Sequence, residues 1–179
     1  PYTTLFRSYS ENGGALQIGK SKLKELENVL EELGHQQVII WAQFHYEIRA
    51  IQQMVKEKFG EVVTLYSGTD DREDSINRFK SGDVQYLIAH PRSAAHGLTF
   101  VGCSSMVFFS LDYSFEAHAQ ARDRIHRIGQ TSSCLYVYLI ANDSIDGELL
   151  NVLQRKKSLQ DVVYGIVRNK AKRKSSSNA

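Results

Sequence analysis

The residues best suited to chemistry form one short run, Gln120-Ala-Arg-Asp-Arg-Ile-His-Arg-Ile-Gly-Gln130. It packs Arg122, Arg124 and Arg127 into six residues. Like charges this close repel unless an anion sits among them, and planar guanidinium groups match phosphate oxygens in a bidentate fork. Read as the amino half of a short helix, the run places Arg124 and Arg127, three apart, on one face, where they can grip one phosphate together. A second run, Gly14-Ala-Leu-Gln-Ile-Gly-Lys-Ser21, matches the phosphate-loop pattern of backbone amides, a lysine (Lys20) and a magnesium-binding hydroxyl. Asp112, after the apolar run Met106–Leu111, offers an acid that such a site would need. Its setting argues against it: a phosphate loop leaves a buried strand, and Arg7–Gly13 is polar throughout.

These residues need a scaffold, and the apolar pattern supplies one. Val38–Ala42, Val62–Tyr66, Val84–Ala89, Met106–Leu111 and Leu135–Ala141 are short, nearly continuous apolar runs rich in β-branched and aromatic residues. That is the signature of strands buried on both faces. Helical periodicity lies between and after them: Lys22–Leu33, with Ser21 as its cap and Gly34 as its stop; Ile48–Phe59; Asp71–Phe79; and Ile145–Tyr164. Alternating strands and helices predict an open, mostly parallel α/β sheet with helices on both faces, its working residues at the carboxyl ends of the strands.

The chain has 179 residues, 42% hydrophobic and 23% charged, an ordinary globular composition for one domain. It shows no apolar run of membrane-spanning length, no secretory signal, and only two cysteines, Cys103 and Cys134, so a soluble intracellular protein is expected. His118 and His126 lack partners at ligand spacing, so no metal site is expected. Trp41 reads as core, and Tyr136 and Tyr138 as packed or edge-facing. Between Arg155 and Lys174 stand eight basic residues and one acid, Asp161, and a basic tail suits a polyanion. The expected divisions are an adapter-like, non-native leader over 1–8 that fits no element, a lead-in link and first helix over 9–36, the main domain over 37–167, and a basic disordered tail over 168–179.

The full string from Gln120 to Gln130 resembles motif VI of the Swi/Snf-type helicase-like ATPases of helicase superfamily two, with every specified position met. The resemblance runs over about residues 9–165. Val38–Phe44, with Gln43 at its polar end, resembles motif IV. Tyr66-Ser67-Gly68 with Arg72 and Ile76–Phe79 resembles the next block, and Ser93–Phe100, with Gly97, resembles motif V. Ser110–Glu116 matches the approach to motif VI, and Ser144-Ile145-Asp146 with Lys156-Lys157 the closing element. His90-Pro91-Arg92-Ser93, and Asp112–Phe115 in place of Trp-Asn-Pro, look more like phage and bacterial members than chromatin remodellers.

The resemblance implies a RecA-like second lobe of an ATP-driven translocase on double-stranded DNA, inactive alone. A first RecA-like lobe, absent from this chain, would bind ATP and Mg2+. Arg127 would act as arginine finger with Arg124 as its partner, and Gln120 would seat the nucleotide or the lobe contact. Gly97 and Asp123 would belong to the nucleotide-linked loops, and Gln43, Ser67, Gly68 and Ser93 would hold one strand's phosphates. The setting would be cytoplasmic in a bacterial or phage-infected cell, nuclear in a eukaryote. The competing readings are a lone non-catalytic DNA-binding lobe, a free-standing NTPase using Lys20, and a strand-separating enzyme acting on RNA.

Overall fold

A computed structural model describes residues 2–9, 15–67, 71–93, 98–111, 114–125, 132–141, 147–148 and 150–155, with backbone alone at 2–9, 15–20, 115, 117 and 141. In chain order the elements are β1 (Tyr2–Tyr9), α1 (Ala15–Leu33), β2 (Val38–Trp41), α2 (His45–Lys58), β3 (Val62–Leu65), α3 (Arg72–Ser81), β4 (Tyr86–Ala89), β5 (Ser105–Phe108), α4 (Phe115–Arg122) and β6 (Cys134–Ala141). The strands form one sheet in the order β1-β6-β5-β2-β4-β3, every pair parallel. The predicted parallel α/β architecture is therefore the observed one.

Successive side chains on a strand point to opposite faces, and each face here has its own apolar layer. Val38, Ile40, Val62, Ile88 and Val107 pack with Leu26 and Leu30 of α1 and Ile48, Ile51 and Val55 of α2. Ile39, Trp41, Leu65, Leu87, Met106 and Phe108 pack with Ile76 and Phe79 of α3 and Ala121 of α4. Trp41 is 1% exposed and Tyr136 and Tyr138 are also buried, so all three are core residues as read. Helix α1 stops where Gly34 takes φ 61°, and α3 where Gly82 takes φ 87°, a left-handed conformation that side chains with a Cβ disfavour.

Three local expectations are corrected. Residues 2–9 form an edge strand, β1, in continuous register with β6 from Tyr2↔Cys134 to Tyr9↔Ala141. Ladder pairing is made by the backbone, and Tyr2, Thr3, Thr4 and Phe6 are good strand formers. Helix α1 begins at Ala15, so Ser21 lies inside it and is not its cap; the helix-forming Ala15, Leu16, Gln17 and Lys20 outweigh the cost of about 1 kcal/mol at Gly19. Helix α4 ends at Arg122, and Asp123–Ile125 are turns, so Arg124 is not helical. Of the expected last helix, residues 147–148 and 150–155 are helical; the rest, and the tail, lie outside the described residues.

Candidate nucleic-acid and nucleotide interface

The carboxyl ends of β2, β3, β4 and β5 meet along one edge. Gln43, just past β2, is half-buried, and its backbone N–H donates to the Ser110 hydroxyl past β5 at 2.8 Å. Ser110 in turn donates to Oε2 of Glu47 at 2.6 Å, and the same oxygen accepts the Phe44 N–H at 3.3 Å. A carboxylate in the first turn of α2 also sits at the positive end of the helix dipole.

Ser67, exposed past β3, lies with its Oγ 3.3 Å from Nε2 of His45. The His45 ring packs against Tyr66 at 5.1 Å and His90 at 6.5 Å between centroids. Past β4, the Ser93 N–H donates to the His90 carbonyl at 3.0 Å, and the Ser93 carbonyl accepts from the Arg72 guanidinium. His90 Nδ1 accepts the Arg92 N–H at 3.2 Å. The start of α2 with the loop before it (43–46) and loops 66–67 and 90–93 are thus tied together, and three of the four residues expected to meet DNA, Gln43, Ser67 and Ser93, share this edge. Gly68, the fourth, lies outside the described residues.

The arginine run lies elsewhere. Arg124 is 6% exposed, its Nη1 donates to the Leu98 carbonyl at 3.0 Å, and its own carbonyl accepts the Phe100 N–H at 2.9 Å. Phe100 is held by a turn to Cys103, which precedes β5, and Ile125 lies near Cys134 at the start of β6. Arg124 therefore sits toward the amino ends of the strands, not at the carboxyl ends expected for the working residues. A carbonyl receives Arg124, and Arg122 lies over the Tyr136 ring at 4.5 Å. Arg124 is not on the helical face read for it, because α4 ends at Arg122. Gln120 and Asp123 are exposed, whereas Arg127, Gly97, His126 and Asp112 lie outside the described residues.

The phosphate-loop reading of Gly14–Ser21 does not fit the backbone. Residues 15–21 are helical, so amides that would cradle phosphate are inside the helix's own ladder from Gly19 onward. On the amino-end side of the sheet, a cavity of about 310 Å³ is lined by Gln37, Phe79, Phe100 and Cys103. Burial pushes the Cys103 thiol up to about 12, which makes it a poor nucleophile.

Sequence reasoning gave no role at the edge to Glu47, His45, Ser110 or His90, although Ser110 and His90 stand in segments it singled out. One signal was available for Glu47. It falls one residue before Ile48 and four before Ile51, so it is an acid on the buried stripe of an amphipathic helix.

The profile of the helicase conserved C-terminal domain matches residues 21–129. The chain belongs to this family. It is homologous to the Snf2-type ATPases, as the likeness of motif VI implied. Over 155 residues it is 26% identical to the chromatin-remodeling ATPase INO80 of Cryptococcus neoformans, covering 84% of this chain and 9% of that protein. Over 154 residues it is 28% identical to helicase swr1 of Schizosaccharomyces pombe, covering 83% of this chain and 12% of that one. The chain thus spans about a tenth of the length of these relatives. Its fold is similar to the C-terminal part of the Fun30 ATPase domain, with a TM-score of 0.67 and 19% identity over 83% of this chain and 54% of that chain. The helicase C-terminal lobe fold is the RecA-like one expected. Among the described residues, no helix is long and apolar enough to cross a membrane.

Proposed function

We propose that this chain is the second RecA-like lobe of an ATP-dependent motor that tracks double-stranded DNA. The observation that carries the reading is the Gln120–Gln130 string on a helicase C-terminal lobe, with its Arg124 turn fastened to the segment at Leu98–Phe100. ATP with Mg2+ would supply the phosphoryl-transfer energy, held mainly by a first lobe. Arg127 would reach the terminal phosphates as the finger, where guanidinium charge stabilises a transferring phosphoryl group. Arg124 would hold the turn that presents Arg127, a change from the paired grip read in the sequence. Gln120 and Asp123, exposed beside it, would face the nucleotide or the first lobe. Gly97 would let the motif V backbone approach closely.

Gln43, Ser67, Gly68 and Ser93 would hold phosphates of one strand, and lobe opening after hydrolysis would ratchet that grip along the duplex. The protein would work in the nucleus of a eukaryote or the cytoplasm of a bacterial or phage-infected cell. The test is Arg127→Ala in a two-lobe protein carrying this lobe. Turnover should fall about 10³-fold or more with DNA affinity nearly unchanged. Near-normal turnover would sink the finger assignment.

A further inference from the structure

The carboxylate of Glu47 has no part in the phosphate grip or the nucleotide chemistry, yet it is buried, at 8% exposed, in contact with two separate loops. An acid in that position is costly unless its oxygens are satisfied. Capping α2 would need only the Phe44 N–H. The Ser110 hydroxyl, 63 residues away and itself 7% exposed, goes beyond capping. Ser110 spends both its capacities on this junction, donating to Glu47 and accepting the Gln43 N–H. The segment after Ser110 leads into α4, and α4 ends beside the Arg124 turn.

We propose that Glu47 is a positioning residue that locks the loop after β2 to the loop after β5, so that DNA held near Gln43 is felt at the head of the helix leading to the arginine turn. This rests on the reading of the chain as a DNA-driven ATPase lobe. Both hydrogen bonds go to one carboxylate oxygen, Oε2. The amide oxygen of a glutamine can accept both, so acceptor geometry rather than charge carries the role.

The experiment measures ATP turnover without DNA, turnover at saturating duplex DNA, and DNA affinity, in a two-lobe protein carrying this lobe. Glu47→Ala and Ser110→Ala should each cut the DNA-induced acceleration about tenfold, within the usual range of coupling between sites. DNA-free turnover should stay within about twofold. Glu47→Gln should restore most of the acceleration, and the double alanine variant should be no worse than either single one. A parallel fall of both turnovers, unchanged acceleration, or additive losses would overturn the proposal. A wild-type protein that DNA does not accelerate would overturn the functional reading itself. Should Glu47→Ala fail to fold, hydrogen exchange on this chain carrying Ser110→Ala decides. The Gln43 amide should exchange faster than in the unsubstituted chain, and unchanged exchange would refute the lock.

Discussion

The edge at the carboxyl ends of β2–β5 and the turn at Arg124 use polar groups in opposite ways. At the edge, Ser67 and Phe44–Tyr46 are exposed, and the loops are joined to each other by hydroxyls, imidazoles and backbone groups. Under the proposed function such a surface would meet a long, uniform polyanion, because phosphate contacts position a partner without reading its sequence. At the turn, Arg124 is buried and fixed at both ends, by its guanidinium to Leu98 and by its carbonyl to Phe100. A group so held has no freedom to search for a ligand. The difference teaches that three arginines in one string need not share one task. Arg122 lies over an aromatic ring and Arg124 is a fastener, which under the proposed function leaves the finger role to Arg127.

The contrast can be broken by substitution. The largest effect expected is the loss of about 10³-fold in turnover for Arg127→Ala, with thermal stability within about half a kcal/mol of the unsubstituted protein. Arg124→Ala should behave differently, because removing a buried charged donor leaves the Leu98 carbonyl short of a partner. It should cost about 1.5–3 kcal/mol of stability, seen as a lower denaturation midpoint, and turnover should fall with it. Equal stability of the two variants would erase the distinction between fastener and finger.

A third test concerns the core beneath the turn. Burial raises the Cys103 thiol from 9.0 to about 12 and the Tyr136 hydroxyl from 10.0 to about 12. Both groups are neutral when protonated, so the unfolded chain loses these protons first. Stability they contribute is fully present below about pH 9 and is lost as pH rises toward 12. Denaturant midpoints should therefore fall progressively above pH 9, and a flat profile to pH 11 would contradict the burial. At the edge, DNA affinity should fall steeply with salt and vary little between duplex sequences. The smallest effect expected is that of Lys20→Ala, which should leave ATP turnover in the two-lobe protein unchanged, because Lys20 lies within α1.

Much of the scaffold was legible because burial writes itself into apolar runs. All five strands inferred from such runs are present, each within a few residues of its expected bounds. Boundaries set by local chemistry were less legible. Ser21 is a good cap residue, yet the helix begins six residues before it, at Ala15, and α4 ends at Arg122, short of the Arg124 it was expected to carry. β1 was illegible for another reason, since its pairing to β6 is made by backbone groups common to every residue. Motif spacing brought Gln43, Ser67 and Ser93 to one edge, and their role toward DNA belongs to the proposal. Glu47 and Ser110 could not be paired this way, because their meeting joins residues far apart in sequence, and Arg124 looked like a ligand group because its carbonyl partner lies 26 residues away.

The measurement closest to the central claim is ATP turnover by a two-lobe protein carrying this lobe, with and without double-stranded DNA. The account predicts that duplex DNA accelerates hydrolysis severalfold or more, and that added salt removes the acceleration as it removes the phosphate grip. Turnover that is the same with and without DNA at low salt would contradict it.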